Sequence, residues 1–347
     1  GNEWSTDLKD GQLYVQGTGW VASPVFDSSY TVYFAKTSNW DHGVPYFYGW
    51  NGSCNNNSSW PGTQMNEVPG KTFNGKTIYT LTVNKRYANC KFSNNGSNQT
   101  ADMLLYGTNA NKMYYYNGSS DIWENLQYDV TLDQQEGSSG TNSIIATCGS
   151  SMPGSKKAPS RTGYIFGGYY TGTNGSGTQY YNADMTSAAN WPADGSGPTT
   201  LYAKWTEITI TELSASPSYG TTGVKNMTVS FKTNVPRNAG YYYRIAEFGG
   251  AGTGTTGNGF HLNGQGINSG TAETLITTTS FPTIYFGTSG TYTSAVEICI
   301  GSIVQQRVTF TYTAGDYCTV SFDMQGRGDV VKPQNILSGN TATVPSP

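Results

Sequence analysis

Charge is scarce in this sequence. Only 12% of its 347 residues are Asp, Glu, Lys or Arg, and the formal net charge is −3. That balance leaves no basic footprint for phosphates, so a nucleic-acid partner is excluded. Histidine is scarcer still, with His42 and His261 the only two. Neither stands near a Ser or Cys in a nucleophile motif, and both read as solvated loop residues. No run of 18 apolar residues exists, so no membrane-spanning helix is expected. Amphipathic runs of Ala, Leu, Glu and Lys longer than a turn or two are missing, which argues against helical domains. Five cysteines (Cys54, Cys90, Cys148, Cys299, Cys318) are scattered without CxxC or metal-ligand spacing. Free buried thiols and partial disulfide pairing both fit, and the cysteines do not decide the compartment. No leader-like segment opens the chain. Gly1 reads as a processing or cloning remnant, and a mature or trimmed form is expected.

What is present is glycine and tyrosine. There are 44 Gly, about one residue in eight against the usual ~7%, and 26 Tyr. Short segments rich in Tyr, Val and Thr alternate with Gly/Asn/Ser turns, the pattern of antiparallel sheets. The expected fold class is all-β or β-rich and multidomain, because the length exceeds one ordinary core and predicts two to four domains.

Residues 28–125 carry the functional signal. Within them, Thr31–Glu124 begins TVYFAKTSNWDHGVPYFYGW, passes through SSWPGTQM and KFSNNGSNQTADMLLYG, and closes KMYYYNGSSDIWE. A period of two along Val44–Trp50 puts Tyr46, Tyr48 and Trp50 on one face and Phe47 on the other. Both faces of one strand cannot be the dry core of a thin sandwich, so a row of outward aromatics points to a ligand surface. The predicted core draws on Val32, Phe34, Phe47, Tyr79, Leu81, Val83, Phe92 and alternate members of Met103–Tyr106. The opening VYFAKTSNW, the YFY strand, WPG with Met65 following, the NNGSNQTADM block and the closing YYYNG occur here in one order. On those motifs the segment resembles the starch-binding modules of carbohydrate-binding family twenty-six, known from bacterial amylases. The polar loop Asn51–Ser59 with its Cys departs from that pattern. The resemblance implies a β-sandwich whose platform is two tyrosines of one strand and a nearby tryptophan, with polar side chains at the edge. Carried onto this sequence, that is Tyr46 and Tyr48 with Trp60, Trp40 as the rival to Trp60, and Gln99 as a rim hydrogen bonder. The bland alternative is that Tyr46 or Tyr48 merely packs beneath a loop.

The remaining segments read as the mounting. Residues 1–27 form an extension with alternating QLYVQ and GWVAS, anchored by Trp4 and Trp20 and too short for a core. Residues 126–205 carry VTLD (Val130–Asp133), MPG (Met152–Gly154), RTGYIFGGYY (Arg161–Tyr170) and LYAKW (Leu201–Trp205). On these the segment resembles the Listeria–Bacteroides, or internalin B-type, repeat, which implies a β-grasp-like spacer or adhesion element. Residues 206–314 show six predicted strands with Gly/Thr/Ser turns, the spacing of an immunoglobulin-like sandwich. The nine-glycine stretch Gly249–Gly270 is expected to be one long mobile loop. Residues 315–347 repeat the start of the second module. The sequence stops where the RTGYxFGGY block would come next, so the natural chain is expected to continue, with this tail poorly ordered or packed on a neighbour.

Catalytic constellations are weak. Glycoside hydrolysis needs two carboxylates facing each other across a cleft, and Asp121 and Glu124 sit instead at the closing edge of the first module. GAGTGTTGNG (Gly250–Gly259) lacks the Lys-Ser/Thr ending of a phosphate loop. No cofactor is expected. A structural calcium ion is compatible with a sugar-binding sandwich, though no DxDxDG-like run names a site. The expectation is a non-catalytic bacterial polysaccharide-binding protein, extracellular or at the cell surface. It would bind starch or maltooligosaccharides by aromatic stacking, alongside other surface glycan-utilisation proteins. Two other readings remain: an adhesin for host glycans or proteins, and the accessory part of a larger amylase.

Overall fold

The computed structural model describes residues 12–15, 19–22, 29–36, 43–51, 55–56, 58–83, 87–105, 109, 111–220, 223–250, 262–268, 270–271, 273–280, 290–314, 317–326 and 331–343. Strands dominate, and the only helical element among the described residues is the 3-10 turn Thr173–Gly175. The chain divides into two compact units, Gly1–Pro159 with Gly167–Lys204 and Ser160–Phe166 with Trp205–Pro347. Each is a β structure, as the alternation of the sequence predicts.

In the first unit, two sheets face each other to make a sandwich. One has the order Ser97–Gln99, Asn89–Asn94, Tyr46–Asn51, Asn55–Asn56, with Met103–Leu104 and Thr63–Gln64 attached. The other runs Asp121–Glu124, Met113–Tyr116, Tyr30–Ala35, Lys76–Val83, Asn66–Phe73. Alternation decides what meets between them: Tyr30, Val32 and Phe34 point inward from one sheet, and Phe47, Cys90 and Phe92 from the other. Phe34, Phe92 and Tyr114 stack with centroids 4.8 to 5.7 Å apart, and Phe47 meets Phe92 edge-on at 5.6 Å. Tyr79, Val83, Met103 and Leu105 complete the core, while Leu81 is only partly buried. Tyr106 lies outside the described residues, as do Trp4 and both histidines.

The outer side of the second sheet is joined to the next segment of the chain. Asp129 accepts hydrogen bonds from the Thr72 hydroxyl (2.7 Å) and from the backbone N–H groups of Asn74 (3.2 Å) and Gly75 (2.9 Å). The Lys71 amine donates to the Gly195 carbonyl and lies 4.3 Å from the Tyr128 ring centre. Beyond this join stands a five-stranded sheet in the order Ser143–Thr147, Gln127–Asp133, Thr200–Glu207, Tyr164–Tyr170, Gln179–Tyr181. Gln127–Asp133 runs antiparallel to the first of these and parallel to Thr200–Glu207. Trp191 is fully buried under it, its indole N–H donating to the Tyr128 hydroxyl at 2.7 Å.

The second unit holds a three-stranded sheet (Ile210–Gly220, Gly223–Thr233, Ile276–Ser280) and a four-stranded one (Leu262–Gly266, Tyr242–Gly250, Gly290–Ile300, Ile303–Ala314). Phe231, Tyr243, Ile245, Val296 and Ile298 fill the core between them. Among the described residues these two sheets hold seven strands, the strand number of an immunoglobulin-like sandwich. The stretch Gly249–Gly270 is not loop throughout: Leu262–Gly266 pairs with Tyr242–Gly250. Its glycines lower strand propensity, but pairing along a long neighbour outweighs that local preference. Glu297 is fully buried on this sheet between paired Arg244 and Arg307, with N–O distances of 2.6 and 2.5 Å. Glu297→Ala would leave two half-exposed guanidiniums without their shared carboxylate. It is expected to destabilise the unit by about 3 kcal/mol in urea unfolding, with Glu297→Gln intermediate. Further on, Tyr317–Val320 pairs with Gln334–Leu337.

Of the cysteines, Cys90, Cys148 and Cys299 are buried and unpaired and Cys318 is exposed and unpaired, while Cys54 lies outside the described residues. Burial raises the thiols of Cys90 and Cys299 and pushes Cys148 up to about 11. Thiolate is the reactive species, so a native-state alkylation mapped by mass spectrometry should label Cys318 before Cys90, Cys148 and Cys299. Cys90, Cys148 and Cys299 should react only in denaturant.

Candidate functional site

Strand pairing sets out the outer face of the first sheet in rows. Tyr46 stands opposite Ser93, which stands opposite Gln99. Tyr48 stands opposite Lys91, and Trp50 opposite Asn89, which faces Leu104 on the next strand. Directly paired residues share a face. Because Phe47 and Phe92 point into the core, these three rows point away from it.

Tyr46, Tyr48 and Trp50 are each half-buried rather than sealed beneath a loop. Tyr48 is flanked by two indoles. Trp50 lies 5.4 Å away with its plane inclined by 32°, and Trp60 lies 5.4 Å away at 82°. Trp60 is 45% exposed, the most open aromatic of the group. The rings form an angled ledge, not a flat shelf.

The turn that carries Trp60 is held from three sides. The Gly62 N–H donates to the Ser59 carbonyl at 2.8 Å, and the Trp60–Pro61 peptide is cis. The buried Ser93 hydroxyl donates to the Pro61 carbonyl at 3.3 Å, drawing the turn over the sheet. Gly62 has φ +108°, and a Cβ there would lie 2.2 Å from the Phe47 carbonyl oxygen. Only glycine fits so close to the strand. On the far side, the Asn95–Gly96 hairpin turn passes beneath the indole, where a Cβ at Gly96 would lie 3.4 Å from Trp60 Nε1. The WPG and NNGSN motifs, distant in sequence, are therefore two parts of one support.

Polar groups border the rings. The Lys91 amine pairs with Asp102 at 2.7 Å and stands 5.8 Å from the Trp60 ring centre. The Tyr46 hydroxyl donates to Gln64 Oε1 at 3.4 Å, and Gln99 is exposed at the edge of the Tyr46 row. Of the residues singled out from sequence, Tyr48 and Trp60 are in contact, and Tyr46 and Gln99 share their face. Trp40 lies outside the described residues. Trp50, Lys91 and Asp102 also border the ledge, though the sequence reading did not single them out as candidates. The Val44–Trp50 alternation already placed Trp50 on the ledge face, whereas Lys91 reaches it only through cross-strand pairing and Asp102 only through its ion pair with Lys91, neither of which leaves a local signal.

The carboxylates considered for hydrolysis are engaged in the opposite sheet. Asp121 accepts from the Tyr114 hydroxyl at 2.7 Å, and Glu124 from the Tyr115 hydroxyl at 3.3 Å. Three residues apart on one strand, they project to opposite faces. Among the described residues, no group of three or more His, Cys, Asp or Glu side chains could hold a metal ion. No helix among them is long and apolar enough to cross a membrane.

No curated protein and no solved structure was found to match the chain. Residues 32–104 match the family model described as Starch-binding module 26, a span that contains every described residue of the ledge and its supports. Over that stretch, about a fifth of its length, the chain is similar to the carbohydrate-binding modules that take starch.

Proposed function

We propose that the protein binds α-1,4-glucan, as starch or maltooligosaccharides, on the ledge of Tyr48, Trp60 and Trp50, and performs no chemistry on it. The observation that carries this reading is the inclination of the rings. A glucose residue offers an apolar C–H face and a hydroxyl rim, and amylose curls, so successive sugars present their faces at an angle. Rings at 82° and 32° suit such a ligand, whereas a flat cellulose chain suits coplanar rings. In this reading Tyr46, Gln99, Lys91 and Asp102, which border the rings, meet the hydroxyls. Covering roughly 80–100 Å² of a sugar face yields about 2 kcal/mol per ring. Two or three rings and a few hydrogen bonds, less the entropy of association, give a dissociation constant of about 10 μM to 1 mM. Weak single-site binding becomes useful on a polymer, where further modules raise the effective concentration.

In this proposal the protein is bacterial and acts outside the cell or at its surface, keeping glucan near partner enzymes or other surface glycan-utilisation proteins. Residues 126–205, which resemble the Listeria–Bacteroides repeat, and the immunoglobulin-like sandwich of 206–314 serve as spacers. Retention on granular starch, cellulose and mucin tests the substrate class. Starch-selective depletion from solution is expected; equal retention on mucin would replace this reading by that of a host-glycan adhesin.

A further inference from the structure

We infer that the glucan track continues past Tyr48 onto a second contact formed by Trp50, Asn89 and Leu104, so that the site favours chains long enough to reach it. This rests on the glucan-binding reading above and adds a length requirement to it.

A lone exposed leucine is ordinary on a protein surface. Leu104, 70% exposed, is not placed as one. Its neighbours Met103 and Leu105 are both buried in the core, which holds Leu104 outward between two anchors. The backbone is fixed as well: Leu104 pairs with Asn89, its carbonyl accepts from Asn109 Nδ2 at 2.8 Å, and the Leu105 N–H donates to the Ala88 carbonyl at 3.0 Å. Strand pairing puts Leu104, Asn89 and Trp50 in one row on the ledge face. Trp60, by contrast, is tied through Pro61 to Ser93 in the Tyr46 row. Tyr48 therefore lies between the two contacts, and a bound chain can run from Trp60 across Tyr48 to Trp50 and Leu104.

Distance sets the length preference. Leu104 is two strands from Trp50, roughly 10 Å at the usual strand spacing, and roughly 12 Å diagonally from Tyr48. A short oligosaccharide seated on Tyr48 and Trp60 stops before Leu104. A longer one lays a further apolar sugar face on Trp50 and Leu104, with the Asn89 amide between them to meet its hydroxyls.

Calorimetric titration of the full chain with maltotriose and maltoheptaose tests this, using Leu104→Asn and Leu104→Trp. Wild-type protein should prefer maltoheptaose. Leu104→Asn should lower the ratio of maltoheptaose to maltotriose affinity by about three- to tenfold, and Leu104→Trp should raise it. A ratio unmoved by either variant, in a protein that still binds both sugars, overturns the second contact and leaves the ledge standing. A wild-type protein that binds neither sugar removes the glucan reading, and this inference with it.

Discussion

Trp60→Ala is expected to weaken maltoheptaose binding about thirtyfold, and Tyr48→Ala at least as much. Trp60 contributes the most exposed ring of the ledge, and its removal forfeits the stacking of one sugar face. Tyr48 touches both Trp50 and Trp60, so its loss removes a platform and also the support that keeps two indoles apart. The Trp60→Ala, Tyr48→Ala double variant should therefore bind more weakly than either single variant, by less than the sum of their two losses because the rings share contacts. Tyr116→Ala is the control. Tyr116 is also exposed, at 42%, but stands on the other sheet of the sandwich. Calorimetry of all four variants checks the result, and a control that binds as weakly as Tyr48→Ala would remove the ledge from consideration.

The second large effect is steric. Gly62→Ala is expected to destabilise the sandwich by about 3–5 kcal/mol and to abolish starch retention even where the protein stays folded. A Cβ at Gly62 would stand 2.2 Å from the Phe47 carbonyl oxygen, 2.6 Å from its carbon and 2.9 Å from the Tyr48 nitrogen. None of those atoms can yield without breaking the strand that carries the ledge. The turn must lift instead, and Trp60 lifts with it. Gly70→Ala separates this clash from simple backbone preference. Gly70 also has positive φ (+68°), but a Cβ there meets nothing within 4 Å. Its replacement should cost only about 1 kcal/mol and spare binding. Thermal unfolding monitored beside starch depletion distinguishes the two variants.

Much of this site was readable from the chain itself, and the reason is periodicity. In a strand with one face on a core, side chains alternate, so Tyr46, Tyr48 and Trp50 could be assigned to one side once Phe47 was assigned to the other. Trp60 came from a motif, and its position only becomes intelligible through Gly62 and Gly96, whose missing side chains make room for the turn and the indole. Residues that arrive by pairing were not readable. Lys91 and Leu104 share a face with Tyr48 and Trp50 only because their strands adopt one register out of several. The same holds for Leu262–Gly266, which looks like a flexible glycine run until Tyr242–Gly250 provides it with a partner. Glu297 is a related case, since a single acidic residue in an apolar strand announces neither of its arginines.

The join at Asp129 bears on how the module meets an insoluble particle. Asp129 grips the hairpin around Asn74 and Gly75, on the sheet opposite the one that carries the rings. The rings thus stand on the sheet of the sandwich that does not make this join. On the glucan-binding reading proposed above, a starch granule, broad and nearly planar on the scale of a protein, would meet the sheet that takes no part in the Asp129 join. The hydrogen bonds of this join run largely to the hairpin backbone, so it does not draw on the strand that carries the rings.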